Sequence, residues 1–373
     1  MSYKKKLLKN LVNLPGWHTN RKLVVFESDD WGSIRMPSRK IYELLISKGI
    51  PINKHYFLKN DCLESETDLT ALFDLLIKYR DSNNHNPIIT ANAVVANPDF
   101  DKIQNAGFRE YHYQLITETY LSYPDHAGVL NLWKNAGIEG RLLWPQFHGR
   151  EHLNTRKWLR ALNSGIQQER IAFENKVLLG LNNTGHSDSE YMAAFEYRNQ
   201  EEMIEIESIV ADGLDLFNRI FGFRSRSLMP SCSVQGDHLN EVLMKNGVVY
   251  NQSGQHYIPA EGGKLKLINY FWGHRNKLNQ IYWRRNCTFE PSKNQDYDWV
   301  NSCLGEMKIA FRWGKPAVIN SHRVNFSGGV FEENRTRTLE KLNLLLKSML
   351  KTWPDIEFVS SDELGDIISG STS

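Results

Sequence analysis

Short apolar runs rich in β-type residues alternate with helical patterns along this chain, and several of the runs end at an aspartate or a histidine. Three of these are residues 22–26 before Asp29–Asp30, 141–147 before His148, and 317–321 before His322. The alternation predicts parallel βα units, whose strands carry their carboxyl ends on one face, where active sites are built. We therefore expect an α/β fold in which these polar side chains lie together.

The length of 373 residues suits one large βα barrel with insertions, or two ordinary domains. No change in composition divides the chain, so we predict a single domain over residues 1–373. Its core is expected at about residues 20–365. The long stretch 35–83 is expected to form an excursion over the active face.

Charge and hydropathy exclude several classes of protein. The net charge of +2 is too small to indicate a nucleic-acid partner. The chain has no apolar run of about 18 residues, which predicts no transmembrane segment. The basic N-terminus has neither a continuous apolar stretch nor a small-residue cleavage site, so we predict no signal peptide and a cytoplasmic protein. The four cysteines form no CxxC motif and are expected to be reduced thiols.

Two interpretations of the N-terminal segment stay open. Its apolar residues have helical spacing with lysines between them: Leu7, Leu8, Leu11 and Val12. Such a helix can pack on the protein surface, or it can make a weak peripheral contact with a membrane.

Apolar periodicity also predicts elements outside the three runs. Helices are expected at residues 69–79, 117–135 with breaks, 155–163, 201–221, 238–245, 299–311 and 334–352. Further strands are expected at 87–95, 225–229, 280–285 and 356–359.

The most informative motif is a pair of histidines four residues apart, His148 and His152. Both imidazoles can be aimed at one point if the segment is helical or turns into a helix. A carboxylate from the Asp29–Asp30 pair would complete a His/His/Asp metal site, and the other carboxylate could act as a base beside a metal-bound water. The alternative is a pair of histidines that merely faces solvent.

Several other residues have two interpretations each. The pKa of an unperturbed histidine, near 6.5, suits His322 to general acid catalysis, although it could also simply hydrogen-bond to backbone. Arg224, Arg226 and Arg285 could each orient Asp29 or bind substrate, or form a surface ion pair. Trp31 lies beside a strand end, where it could stack on a sugar ring or pack in the core.

Together these motifs resemble those of the polysaccharide deacetylase family, also called the NodB-homology or carbohydrate esterase family 4 group. Ser28–Asp29–Asp30 resembles its first motif, His148–Gly149–Arg150–Glu151–His152 its metal motif, and Asn320–Ser321–His322 its last motif. Residues 356–364 resemble its closing strand and helix. The resemblance covers about residues 20–365.

The resemblance implies a distorted (β/α) barrel of the NodB-homology type with a long insertion after the first strand. It also implies a metal-dependent hydrolase that removes an acyl group, N-acetyl in the first instance, from a carbohydrate substrate. Site roles follow from the matched positions. They are Asp29 as general base, Asp30, His148 and His152 as metal ligands, His322 as general acid, and Ser231 in a segment that presents a backbone N–H to the oxyanion.

One divalent metal is implied, with Zn²⁺ expected, and Co²⁺, Ni²⁺ and Mn²⁺ left open because ligand type selects poorly among them. The sequence departs from the family at Trp31, which separates the aspartates from Gly32. It departs again at Asn320, which stands where the family has a leucine lining an acetyl pocket.

Two alternative functions remain open from the sequence. A glycosidase on a related barrel needs two carboxylates about 5–5.5 Å or 6.5–9.5 Å apart, and neighbours such as Asp29 and Asp30 are expected to point different ways along a strand. A non-catalytic carbohydrate-binding protein could also retain this fold. Product analysis separates the deacetylase from the glycosidase, since acetate release marks the first activity and chain cleavage the second.

Overall fold

The computed structural model describes residues 3–179, 191–260 and 264–370. The strands are β1 (Lys22–Trp31), β2 (Ile89–Val94), β3 (Ala96–Pro98), β4 (Tyr113–Leu115), β5 (Leu143–Gly149), β6 (Ser227–Leu228), β7 (Tyr250–Asn251), β8 (Gln255–Ala260), β9 (Lys264–Asn269), β10 (His274–Arg275), β11 (Ile281–Tyr282), β12 (Cys287–Thr288), β13 (Ala317–His322) and β14 (Ile356–Phe358). The α-helices are α1 (Tyr3–Asn13), α2 (Arg39–Ser47), α3 (Tyr56–Asn60), α4 (Glu66–Leu76), α5 (Phe100–Asn105), α6 (Ile116–Ser122), α7 (Val129–Leu132), α8 (Thr155–Asn163), α9 (Gln167–Glu174), α10 (Gln200–Phe221), α11 (Leu239–Lys245), α12 (Trp299–Arg312), α13 (Glu332–Thr352) and α14 (Ser361–Ser369).

The main sheet has the strand order β10-β11-β7-β6-β5-β2-β1-β13-β12, and β14 also pairs with β1. All of its pairs are parallel except β10 with β11. It curls as a half barrel, which confirms the predicted α/β class and the distorted-barrel architecture. Two small antiparallel pairs, β3 with β4 and β8 with β9, lie outside the main sheet.

The central strand β1 is buried on both faces, as expected of a parallel strand covered on each side. On one face Val24 joins a core cluster with Leu72 of α4 and Leu345 of α13. On the other face Val25 packs in a second cluster with Trp283. Full burial of each such aliphatic side chain contributes about 1.5–3 kcal/mol, so these two layers fix the position of the strand that ends at the aspartate pair.

Most predicted elements are confirmed, often with bounds shifted by one to three residues. The strand predicted at 280–285 is shorter, because β11 ends at Tyr282. Trp283 and Arg285 beyond it instead direct their side chains to Glu27. The β8–β9 hairpin was not predicted, although the alternation of charged and apolar residues along β9 is a strand pattern.

Three helices occupy the region between β1 and β2 where an excursion is expected. Arg35, His55 and Phe57 from this region line the cavity that also contains Asp29 and Asp30. By contrast, α4 packs against α13 and α7 in the helical layer. It begins with a capping box, in which Ser65 and Asp68 satisfy each other's backbone N–H groups. The single-domain assignment and the bounds 35–83 stay predictions.

The N-terminal helix α1 keeps leucines exposed, with Leu7, Leu8 and Leu11 each more than half accessible. The weak peripheral membrane contact that this pattern allows stays a prediction. Among the helices within the described ranges, none combines the length and the apolarity that crossing a membrane requires. None of the four cysteines forms a disulfide, as expected.

Candidate metal centre and active-site cavity

A cavity of about 760 Å³ opens at the carboxyl ends of β1, β5 and β13. Six of the predicted site residues line it: Asp29, Asp30, His148, His152, Arg285 and His322. The volume lies within the range of about 300–1,000 Å³ that is usual for small-molecule sites.

Strand register brings residues that are distant in sequence together at this cavity. In the parallel pairing of β1 with β13, Asp29 lies directly opposite His322. His322 Nε2 is 3.8 Å from Asp29 Oδ2. Side chains some 290 positions apart in the sequence therefore face each other because two parallel strands end at the same level.

A β-bulge turns both aspartates into the same cavity. The register of β1 against β2 shifts between Ser28 and Trp31, and Asp30 has a left-handed φ of 75°. Simple strand alternation would have sent Asp29 and Asp30 to opposite faces, as the sequence led us to expect. Bulges re-aim side chains in this way, so the two carboxylates can serve one site.

The HxxxH segment does not form a helix. His148 is the last residue but one of β5, where it is bulged against β2, and α8 begins only at Thr155. Between them, Gly149 adopts a φ of +134°, and a side chain there would meet the carbonyl of Glu151 at 2.8 Å. A tight turn rather than a helical face therefore brings His152 back beside His148, with ring centroids 4.9 Å apart.

Asp30, His148 and His152 form a buried group that could hold a metal ion. One ligand atom from each lies within 4.8 Å of the other two. Asp30 Oδ1 is 3.7 Å from His148 Nε2 and 3.2 Å from His152 Nε2. Two imidazole nitrogens and one carboxylate oxygen form a donor set that suits zinc and leaves a fourth position open.

The hydrogen bonding of His148 also fits a metal ligand. Its Nδ1 lies 2.6 Å from the carbonyl of Met229, an acceptor, so this nitrogen carries the proton. The lone pair then sits on Nε2, which is buried without a hydrogen-bond partner in the described part of the chain. Metal-bound histidines usually donate their other N–H to a carbonyl or carboxylate in this manner.

The electrostatics keep His152 neutral. Burial lowers the pKa of His152 to about 3, although the nearby Asp30 carboxylate acts in the opposite direction. A neutral imidazole has a free lone pair at neutral pH, as metal ligation requires.

Arg285 holds Asp29 in a two-pronged ion pair. Its Nη1 and Nη2 donate to the two carboxylate oxygens at 2.6 and 2.8 Å. Nε of the same guanidinium donates to Glu27 at 2.6 Å, and Asn92 adds a bond to Asp29 Oδ1 at 2.8 Å. Burial acts to raise the pKa of Asp29, but the Arg285 charge outweighs it and holds that pKa well below the usual range. Asp29 is therefore ionised and oriented.

Glu290 holds His322 from the other side. His322 Nδ1 lies 2.5 Å from Glu290 Oε1, and Asn325 donates to Glu290 Oε2 at 2.8 Å. Burial lowers the pKa of His322, but the carboxylates of Glu290 and Asp29 outweigh it and raise that pKa to about 10. The imidazole is thus protonated at neutral pH, with Nε2 directed toward Asp29.

Two other predicted residues, Trp31 and Ser231, lie outside the cavity lining. Trp31 is buried in the core, where it stacks on Phe326 and donates its indole N–H to Ser28. Ser231 is buried, and its hydroxyl donates to the backbone carbonyl of His148 at 3.2 Å. That bond can position β5. The predicted role of this segment in presenting a backbone N–H to the oxyanion stays a prediction.

Arg226 is not brought to the cavity either. It forms a two-pronged ion pair with Asp366 at 2.7 and 2.5 Å, beside Tyr250. Arg224 is exposed and lies near Asp215. Of the three arginines singled out in the sequence, only Arg285 contacts Asp29 within the described residues.

Sequence reasoning missed the residues that support the site. Glu27 and Glu290 had no recognisable role, because each acts through a partner that is distant in sequence. Arg35 was missed as well, and its guanidinium lies 3.5 Å from Asp30 and 3.5 Å from Asp61. A single arginine in a loop carries no sequence signal that would distinguish it from a surface residue.

No family model matches the chain, and no curated protein matches it. Polysaccharide deacetylases are among the solved structures that it resembles. One is a probable polysaccharide deacetylase from Pseudomonas aeruginosa PAO1, with 9% identity and a TM-score of 0.43, covering 95% of this chain and 94% of that chain. Another, from Parabacteroides distasonis, is named as a candidate glycoside hydrolase/deacetylase, with 9% identity and a TM-score of 0.47, covering 95% of this chain and 73% of that chain.

A third similar structure is a 4-alpha-glucanotransferase from Thermococcus litoralis, with 9% identity and a TM-score of 0.43. The match covers 95% of this chain but only 41% of the glucanotransferase. At this level of similarity, the matched proteins carry no argument about the reaction. Function has to be argued from the residues of the cavity.

Proposed function

We propose that this protein is a metal-dependent hydrolase that removes an acyl group, most simply N-acetyl, from a carbohydrate. The observation that carries the proposal is that a base, an acid and a metal-binding group lie together in one cavity. An ionised Asp29, clamped by Arg285, faces a protonated His322 beside the Asp30–His148–His152 group. A base, an acid and a metal-binding group in this arrangement suit hydrolysis of an amide or ester.

Asp30, His148 and His152 would hold the metal, with zinc as the expected ion. A divalent cation at such a site supplies a water of lowered pKa and polarises the carbonyl of the acyl group. Met229 and Ser231 support this group by fixing the ring of His148 and the backbone that carries it. Neutral His152 offers its lone pair without losing a proton first.

The side chains around the metal-binding group divide the proton transfers between them. Asp29 accepts a proton from the attacking water as the new carbon–oxygen bond forms at the acyl carbon. His322 then donates its Nε2 proton to the leaving nitrogen as the carbon–nitrogen bond breaks. The products are a carboxylic acid and a free amine, and Glu290 stabilises the cationic form of His322 before the transfer.

Polar groups along the cavity wall support a carbohydrate substrate. Ser233, Ser253, Gln255 and Asn320 offer hydroxyl or amide groups, and Phe57 offers an aromatic ring. Asn320 Oδ1 accepts from Arg285 at 2.7 Å, so this residue belongs to the network that orients Asp29. A leucine at this position could not make that bond.

The test is product analysis with zinc-loaded protein and a panel of N-acetylated and O-acetylated oligosaccharides. We expect acetate release, with the glycan chain left intact and one free amine or hydroxyl gained per acetate. Shortened chains without acetate would instead indicate a glycosidase. Binding of glycans without any turnover would indicate a non-catalytic binding protein.

Metal binding can be tested apart from catalysis. Replacing His148 with Ala is expected to weaken zinc affinity by at least about 100-fold, because it removes a ligand rather than a supporting contact. Competition with a chromogenic chelator measures the affinity directly. His85→Ala is the matched control, since His85 is exposed and precedes the amino end of β2, whereas His148 lies at the carboxyl end of the neighbouring β5. Equal zinc affinities for both variants would contradict the assignment.

A further inference from the structure

A second concave surface, which we call the basic groove, adjoins the catalytic cavity. Its volume is about 930 Å³, and His55 and Phe57 line both spaces. The ring of Phe57 lies edge-on to His322, with centroids 5.1 Å apart. The groove therefore begins one side chain away from the proposed general acid.

Four cations line this groove: Lys54, Lys59, Lys293 and Arg337. They come from three separate segments, which are the α3 region, the turn after β12 and the start of α13. In the described ranges none of the four has an ion-pair partner, and a single carboxylate, Glu333, shares the groove with them. The local charge is strongly positive, although the chain as a whole is nearly neutral.

The remaining lining residues suit a sugar. Asn53, Asn294 and Gln295 supply amides, and Phe331 supplies an aromatic face that Lys59 also approaches at 5.6 Å. His55 Nδ1 and Gln295 Oε1 are buried without hydrogen-bond partners among the described residues, so an imidazole nitrogen and an amide oxygen are unused there. Burial and the charge of Lys293 lower the pKa of His55, which keeps this ring neutral.

We propose that the basic groove is a subsite for an anionic sugar unit, with its carboxylate or phosphate held by these cations, next to the unit whose acyl group enters the cavity. This inference rests on the proposed function and deepens it, because it names the substrate class as an anionic acylated glycan. A neutral acylated glycan would leave the four cations without partners.

The experiment measures binding by isothermal titration calorimetry on the full-length, metal-free chain, so it does not depend on turnover. One probe is a tetrasaccharide that alternates glucuronate with N-acetylglucosamine, and the neutral comparison is tetra-N-acetylchitotetraose. Glucose 1-phosphate distinguishes phosphate from carboxylate as the source of the anion. We expect the wild type to bind at least one anionic probe about tenfold more tightly than the neutral one at low salt, and to lose this preference between about 0.05 and 0.5 M NaCl.

The decisive variant combines Lys54→Gln, Lys59→Gln, Lys293→Gln and Arg337→Gln. It should lose the preference for the anionic probe and its salt dependence, while thermal melting confirms that it folds. Lys347→Gln with Lys351→Gln is the control, because it removes exposed charge from the same helix, α13, outside the groove. The proposal is overturned if neither anionic probe outcompetes the neutral glycan, or if the four-site variant keeps the preference. If zinc-loaded wild type binds the anionic probe but releases no acetate from the acetylated panel, that result counts against the hydrolase proposal alone.

Discussion

Asp29→Asn is expected to lower kcat by about 10²–10⁴-fold while zinc remains bound, because the variant keeps the shape of the side chain but removes the proton acceptor. The amide can still accept one bond from Arg285, whose Nε remains paired with Glu27 at 2.6 Å. The guanidinium is therefore not left without a counter-charge. Steady-state acetate release and the metal content after gel filtration are the two measurements.

The neighbouring residue provides the matched control. Asp30→Asn makes the same chemical change one position along β1, but Asp30 is the proposed metal ligand. We expect Asp30→Asn to lose zinc and activity together, and Asp29→Asn to lose activity alone. If Asp29→Asn retains near-normal turnover, Asp29 is not the base. If this variant loses zinc as Asp30→Asn does, the roles of base and metal ligand have been assigned incorrectly to the two aspartates.

Strand ends made the centre of the site predictable from sequence. The runs at 22–26, 141–147 and 317–321 are rich in β-type residues, and parallel strands place their carboxyl ends on one face. Proximity of Asp30, His148 and His152 follows from that rule together with the spacing of the histidines. The parallel topology of the sheet is enough to place these strand ends side by side.

Local backbone geometry was not predictable. Strand alternation implied that Asp29 and Asp30 point apart, and only the bulge in β1 and the positive φ of Asp30 bring them together. Likewise a helix was one expected way to align His148 with His152, whereas a turn at Gly149 does so. A one-residue bulge leaves almost no trace in hydrophobic periodicity.

Choosing among arginines was also beyond the sequence. Arg226 and Arg285 have the same chemistry, and both lie close to short strands. Arg285 reaches Asp29 because it follows β11 at the open end of the barrel, while Arg226 precedes β6 and pairs with Asp366. The difference depends on which end of a strand each residue occupies, and strands of two residues are too short to locate by pattern.

Arg323→Met is expected to lower the free energy of unfolding by about 3–5 kcal/mol, the largest stability effect that we predict. Arg323 follows His322 directly and is fully buried. Its guanidinium donates to both oxygens of Asp61, at 3.1 and 3.0 Å, and to Glu64 at 2.9 Å. Removal of this cation leaves Asp61 with only the longer Arg35 contact at 3.5 Å, and it leaves Glu64 without a counter-charge, held by the Gly32 N–H and the Tyr120 hydroxyl. The cost of an uncompensated buried charge exceeds that of a lost apolar contact.

The same ion cluster links stability to the site. Asp61 and Glu64 belong to the region after β1, and Arg323 ties that region to the end of β13, beside His322. Urea denaturation of Arg323→Met measures the destabilisation. Arg21→Met is the control, because the Arg21–Glu357 pair is largely exposed and its loss should cost no more than about 1 kcal/mol.

A compensated variant tests the cause of the effect. Arg323→Met combined with Asp61→Asn and Glu64→Gln removes the uncompensated charges along with the cation, so it should recover part of the lost stability. Recovery would assign the destabilisation to buried charge, whereas a triple variant as unstable as Arg323→Met would assign it to lost packing. An unchanged urea midpoint for Arg323→Met itself would mean that the cluster contributes nothing net, and that the region after β1 is held against β13 by its apolar contacts.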